Sequence, residues 1–211
     1  MTLYQIKPQF QAWLRPLVRR LASCGVRANQ VTVLAAIASL VVGALVAALA
    51  QRPALFLILP PWLFMRMALN AIDGMLAREH GQQSTLGAYL NELGDIVSDL
   101  ALIAPFVQTS AFGGADVFVF ALSAVLVECA GLIGPLARAS RRYDGPLGKS
   151  DRAFILGALS LWIGLGMGLG PLGHIVWIGL STLSILTIFK RVRGGIIESR
   201  QISTQSSEPI L

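Results

Sequence analysis

The sequence predicts an all-α membrane protein in which six transmembrane helices follow an amphipathic helix lying at the membrane interface. Of its 211 residues, 55% are hydrophobic and only 13% charged, a balance typical of chains that give much of their surface to lipid. Six apolar stretches follow one another at about 31–50, 54–73, 86–107, 117–136, 153–169 and 172–189, close to the ~20 residues a helix needs to cross a bilayer. Lysine and arginine gather at alternate ends of those stretches, the charge asymmetry of a multi-pass protein.

The first element spans about residues 5–26. Phe10, Trp13, Leu14, Leu17, Val18 and Leu21 recur at helical steps, with Lys7, Arg15, Arg19 and Arg20 mostly elsewhere around the helix, the pattern of an interfacial helix on anionic lipid. Pro8 marks its start and Pro16 is expected to bend it. The run at 31–50 is too long for the ~7–15 residue core of a signal peptide and reads as a retained span. Pro60 and Pro61 interrupt the second stretch. The third carries Asn91, Glu92, Asp95 and Asp99, so hydropathy alone scores it less strongly. In lipid, backbone groups must be satisfied within each segment, which makes all six helical.

Five basic residues (Lys7, Arg15, Arg19, Arg20, Arg27) precede the first span and Arg52 follows it. Arg78 lies between the second and third spans, and none lies between the third and fourth. Arg138, Arg141, Arg142, Lys149 and Arg152 sit between the fourth and fifth, and Lys190, Arg191, Arg193 and Arg200 follow the last. Both termini are therefore expected in the cytoplasm. Residues 1–193 read as one domain, with the bundle at 31–189, and the polar segment 194–211 reads as a disordered tail. The net charge of +6 is spread over span ends and forms no continuous face, so a nucleic-acid partner is not expected. Cys24 and Cys129 imply no disulfide framework.

The second and third spans carry polar residues that lipid does not tolerate without compensation. Asn70, Asp73, Gly74, Ala77 and Arg78 share one side of the second; Gly87, Asn91, Asp95 and Asp99 share one side of the third. With a rise of about 1.5 Å per residue, Asp73 lies roughly 8 Å inward of Arg78 and Asn91 roughly 9 Å inward of Thr85. A carboxylate at the bilayer centre costs about 2.5–3.5 kcal/mol, so the cluster calls for a cation. Oxygen donors without histidine or cysteine suit a hard divalent ion, Mg²⁺ first and Mn²⁺ next. Gly74 and Gly87 remove side chains where a pyrophosphate can approach backbone; close helix packing explains them equally. Arg66 lies two turns deeper than Asp73 and is expected to pair with Asp99.

The pattern Asn70-x-x-Asp73-Gly74-x-x-Ala77-Arg78, eight residues, then Gly87-x-x-x-Asn91-x-x-x-Asp95 resembles the signature of the CDP-alcohol phosphotransferase family. The family form has aspartate at all four acidic positions, whereas here two are asparagine. Arg27-Ala28-Asn29-Gln30-Val31-Thr32 also resembles the Pro-Asn-x-x-Thr segment of the family, without its proline. The resemblance implies that Asp73, Gly74, Ala77, Arg78 and Gly87 hold the CDP moiety, that Asn70, Asp73, Asn91 and Asp95 ligate metal, and that Asp95 also acts as the base. Asp99 is expected to restore some of the charge lost at the asparagines. Arg138, Arg141, Arg142 and Lys149 are candidates for an acceptor phosphate, as similar basic residues are in some family members.

The reaction so implied transfers a phosphatidyl or other substituted phosphate group from a CDP-linked donor, CDP-diacylglycerol first, to a small alcohol or polyol phosphate, releasing CMP. It belongs to phospholipid biosynthesis in a bacterial inner membrane, with the site facing the cytoplasm and the chain a homodimer. Two readings stay open beside it. One is a homologue that binds nucleotide or lipid without turnover, supported by the two asparagines. The other is a divalent-cation or small-solute transporter, although the polar track stops at Asp99. The segment Gly145 to Arg152 is no phosphate loop, because Tyr143 stands where that motif needs glycine.

Overall fold

The computed structural model describes residues 7–109 and 114–205. Among them the regular structure is all helical, without strands, as the composition predicts. Its contacts divide it into two compact units, one formed by the described residues up to Thr109 with Ala153–Gly168, the other by residues 114–152 and the described residues from Leu169 onward.

The first unit opens with α1 (Lys7–Ser23), which continues through Pro16. Its apolar face divides in two. Leu14, Val18 and Leu21 pack against Ile72, Met75 and Leu76, while Trp13 is 81% exposed and Leu17 half exposed, the side left for lipid. Two bonds from Arg15 to Glu79, of 3.0 and 3.1 Å, tie α1 to the end of α3 (Leu59–Glu79), and this partner raises the pKa of Arg15 above its ordinary value.

Between them runs α2 (Ala28–Ala48). Its first N–H groups lack helical acceptors, and Gln82 of the turn after α3 meets them: the Ala28 N–H donates to Gln82 Oε1 at 2.7 Å, and Gln82 Nε2 donates to Val26 O at 3.2 Å. α2 packs on both α3 and α4 (Thr85–Ile103). Gly43 makes this possible, since a Cβ there would collide with the Ala101 carbonyl. Leu34, Ile37 and Val41 face outward on α2.

Pro60 and Pro61 do not interrupt α3. They fall in its first turn, where a missing N–H leaves no acceptor unmet, and a short 3-10 segment at Pro53–Ile58 leads into them. The helix then runs beyond the apolar stretch to Glu79, so that it carries Ala77 and Arg78 as their spacing predicts. Ser84 caps α4 by accepting from the Gly87 N–H at 2.9 Å, and a 3-10 turn, Ala104–Thr109, follows.

In the second unit, α5 (Ala115–Leu132) packs along α7 (Leu172–Gln205) through the fully buried Trp177 and Phe120, rings 5.5 Å apart. α6 (Lys149–Gly164) begins in this unit and continues into the other. Residues 194–205, expected as disordered tail, continue α7. Glu198 holds them: its carboxylate accepts from the Ser140 N–H and Oγ at 2.9 Å and from Arg142 Nη1 at 2.6 Å. The rest of the expected tail lies outside the described residues.

Four segments are long and apolar enough to cross a membrane: Ala28–Ala48, Pro53–Glu79, Ala115–Leu132 and Leu172–Thr204. The other two expected spans correspond to α4 and α6. α4 carries Glu92, Asp95 and Asp99. The 16 residues of α6 reach about 24 Å, short of the ~30 Å of a bilayer core.

Candidate active site

The predicted polar residues lie on α3 and α4 of the first unit, and side chains join the two helices. Asp95, on α4, is the meeting point. Its Oδ1 accepts from Asn70 Nδ2 at 3.0 Å and from Arg66 Nη2 at 3.2 Å, and its backbone carbonyl accepts from the same Arg66 nitrogen at 3.0 Å. Arg66 Nη1 reaches Asp99 Oδ1 at 2.7 Å. Arg66 thus pairs with Asp99, as its depth predicts, and also with Asp95, which spacing alone did not indicate. The guanidinium is 3% exposed; it would be costly to bury without such partners.

Asn70 stands one turn before Asp73 on α3, so its bond holds Asp95 beside the turn that carries Asp73. Asp73 is 3% exposed, and its Oδ2 accepts from Thr32 Oγ1 of α2 at 2.7 Å. Thr32 closes the Arg27–Thr32 segment, so the second sequence pattern meets the first at this carboxylate. Asn91 is partly buried one turn before Asp95.

The glycines separate by what surrounds them. The atoms nearest to a Cβ on Gly74 would be those of the Arg78 guanidinium, at 3.0–3.4 Å, so Gly74 lets the exposed Arg78 fold back along α3. A Cβ on Gly87 would lie 2.6 Å from Asn29 Oδ1 and 3.0 Å from Ser84 Oγ, so Gly87 admits the start of α2. Ala77 packs at the margin of the α1–α3 core, where its small size serves packing.

The donor set can be tested against a divalent cation. Among the described residues no three acidic, histidine or cysteine side chains gather into a metal-holding group, because two of the four signature positions are asparagine. Two carboxylates, Asp73 and Asp95, remain, with the amide oxygens of Asn70 and Asn91 as neutral donors. This all-oxygen set fits one hard ion that completes its shell with phosphate and water.

The basic residues proposed for an acceptor phosphate lie in the second unit. Arg142 is committed to Asp144 at 2.7 Å and Glu198 at 2.6 Å, and the bond to Asp144 chiefly raises its pKa. Arg141 lies 5.1 Å over the Tyr143 ring, and Arg138 takes a left-handed backbone conformation, φ 58°. Glu128 of α5 accepts from Arg152 at 2.6 Å and lies 3.7 Å from Arg191, both arginines buried. His174 faces Asp116 at 3.3 Å.

Residues 26–187 match the CDP-alcohol phosphatidyltransferase family. The chain is 45% identical over 206 residues to the inner membrane protein YnbA of Escherichia coli K12, covering 96% of this chain and all of that one. Its fold is similar to the crystal structure of Mycobacterium tuberculosis phosphatidylinositol phosphate synthase in complex with manganese and citrate, with a TM-score of 0.70, 19% identity, and 85% and 87% of the two chains covered.

Proposed function

The chain belongs to the CDP-alcohol phosphatidyltransferase family, and from that premise we propose that it moves a phosphatidyl or related substituted phosphate group from a CDP-linked donor to an alcohol, releasing CMP. The observation that carries this reading is the bond from Asn70 to Asp95. It holds the signature carboxylate of α4 next to the turn of α3 that bears Asp73 and Gly74.

In this reading Gly74 and Arg78 receive the CDP pyrophosphate, Arg78 as a cation able to fold along the helix, while Gly87 and Ala77 shape the walls. Asp73, Asp95, Asn70 and Asn91 hold one Mg²⁺ or Mn²⁺, which when bound shields the pyrophosphate charge and polarises the phosphorus under attack. Asp95 accepts the proton of the acceptor hydroxyl. The acceptor oxygen bonds to the phosphorus carrying the lipid or other alcohol, the bond from that phosphorus to the bridging oxygen breaks, and CMP leaves with the electron pair.

CDP-diacylglycerol is the proposed donor, since apolar side chains face outward beside the site on α2 and a lipid tail suits such a surface. A polyol phosphate is the proposed acceptor, with Arg138, Arg141, Arg142 and Lys149 as the candidates for its phosphate; Arg142 would have to exchange contacts with Asp144 and Glu198 to serve. A bacterial inner membrane is the proposed location, a reading that the relative's name supports, and the distribution of basic residues supports a site facing the cytoplasm. In this reading the chain works as a homodimer, as the family resemblance implies.

The test supplies purified protein in lipid with labelled CDP-diacylglycerol, Mg²⁺ or Mn²⁺ and a panel of polyol phosphates, and follows CMP. Acceptor-dependent CMP release is expected, and Asp95→Asn should lower it by about 10²–10⁴-fold. Full activity in that variant would remove Asp95 as the base. Binding of CDP without CMP release under every condition would favour a homologue that has lost turnover.

A further inference from the structure

Eight residues, 79–86, separate the two halves of the signature, and the side chain of one of them, Gln82, turns to the start of α2. Its backbone is fixed first. Gly81 follows α3 in the left-handed conformation that favours glycine, φ 64°, and the Gln82 N–H donates to Ala77 O at 3.0 Å, in the turn of α3 that also carries Arg78. From there the side-chain amide bridges two residues of the neighbouring segment, Oε1 accepting the Ala28 N–H at 2.7 Å and Nε2 donating to Val26 O at 3.2 Å. A single bond would let the first turn of α2 swivel. Two bonds, one to a donor and one to an acceptor two residues away, fix its rotation.

That rotation decides what Thr32 meets. Thr32 lies one turn beyond Ala28 on the same face of α2, and its Oγ1 is 2.7 Å from Asp73 Oδ2 and 3.1 Å from Ala28 O. A hydroxyl has one proton to give, so the two acceptors compete, and the shorter contact to a charged oxygen is the stronger. Ala28, buried like Asp73, is thus held by Gln82 at its N–H and is the rival acceptor at its carbonyl. Building on the reading above, we propose that Gln82 is a positioning residue for Asp73: it sets the first turn of α2 so that Thr32 gives its proton to the Asp73 carboxylate and not to its own helix.

The experiment crosses Gln82→Met with Thr32→Val in the purified full-length protein, read by calorimetric CDP binding in the presence of Mn²⁺ and by thermal unfolding. Methionine keeps the length of the side chain and removes both bonds. Thr32→Val is expected to weaken CDP binding about tenfold, the low end for a lost bond to a charged group, and Gln82→Met about fivefold. Because Gln82 acts through the Thr32 hydroxyl, the double variant should bind CDP no more weakly than Thr32→Val alone, although it should unfold at a lower temperature. Gln82→Glu keeps the acceptor for the Ala28 N–H, so it should bind CDP more tightly than Gln82→Met, and it carries the test if Gln82→Met does not fold. Losses of affinity that multiply in the double variant, or a Gln82→Met protein that unfolds earlier yet binds CDP as the wild type does, would make Gln82 a helix cap alone and overturn the proposal while leaving the transferase reading intact. A wild type that does not bind CDP would overturn both.

Discussion

A methyl group at position 87 separates two explanations of that glycine. It lies in the signature and is proposed to line the nucleotide site, yet its Cβ would also strike Asn29, the third residue of the Arg27–Thr32 segment. The contact would be 2.6 Å to Asn29 Oδ1, whereas ordinary contact begins near 3.4 Å, so Asn29 must give by roughly 0.8 Å. That retreat disturbs the 3.5 Å contact from Asn29 Nδ2 to Ser84 Oγ, and with it the Ser84 cap on the Gly87 N–H. Overpacking of this kind costs about 1–3 kcal/mol. Because Asn29 can rotate, Gly87→Ala should fall at the low end, about 1–2 kcal/mol, or a drop of ~2–8 °C in a chain of this size.

The assay is a double-mutant cycle of Gly87→Ala and Asn29→Ala, read by thermal unfolding in detergent and by calorimetric CDP binding. If the collision is the cause, removing the Asn29 side chain relieves it. The double variant should then be more stable than the sum of the single effects by at least ~0.5 kcal/mol, and it should bind CDP as Asn29→Ala does. Additive stability effects, with CDP binding lost in both alanine-87 forms, would refute this account, since the space at Gly87 would then belong to the ligand.

Gly74→Ala should behave in the opposite way. Its Cβ would meet the flexible tip of the Arg78 side chain first, so thermal stability should change by less than ~0.5 kcal/mol, while displacement of Arg78 should weaken CDP binding by roughly tenfold. Thr32→Val keeps the shape and removes the donor to Asp73. A hydrogen bond to a charged group contributes about 1.5–3 kcal/mol, so the midpoint of thermal unfolding should fall and Mn²⁺ affinity should change with it. Glu198→Ala removes the acceptor for Ser140 and Arg142, and amide exchange over residues 194–205 should accelerate selectively.

Helix existence was legible because apolar runs and basic ends report directly on the solvent each segment prefers. Boundaries were not, because they turn on single contacts. Pro60 and Pro61 look like a break inside a run and are a start, and only the 3-10 segment before them makes that visible. The length of α7 depends on Glu198 meeting Ser140 and Arg142, more than fifty residues earlier in the chain. Local polarity cannot report a partner so distant. The face of α1 was read correctly as apolar but assigned wholly to lipid, whereas Val18 is fully buried against protein. An amphipathic stripe indicates that a face avoids water and does not say what covers it.

The site shows the same division between what spacing encodes and what it leaves open. Three- and four-residue steps place Asn70 with Asp73 and Asn91 with Asp95 whatever the neighbouring helices do, so the signature is readable in one dimension. Which acid meets Arg66 depends on how α3 is rotated against α4, and matching depths pointed to Asp99 alone. The guanidinium has two arms, and Asp95 and Asp99 follow each other by one turn on the same face, so both are within its reach. That shared contact changes the meaning of one asparagine. Asn70 donates to the same Asp95 oxygen that Arg66 meets, so its amide helps to hold the acid where an aspartate at that position would repel it. Asn70 is therefore best understood together with Arg66, as one arrangement around Asp95 whose members lie on two helices.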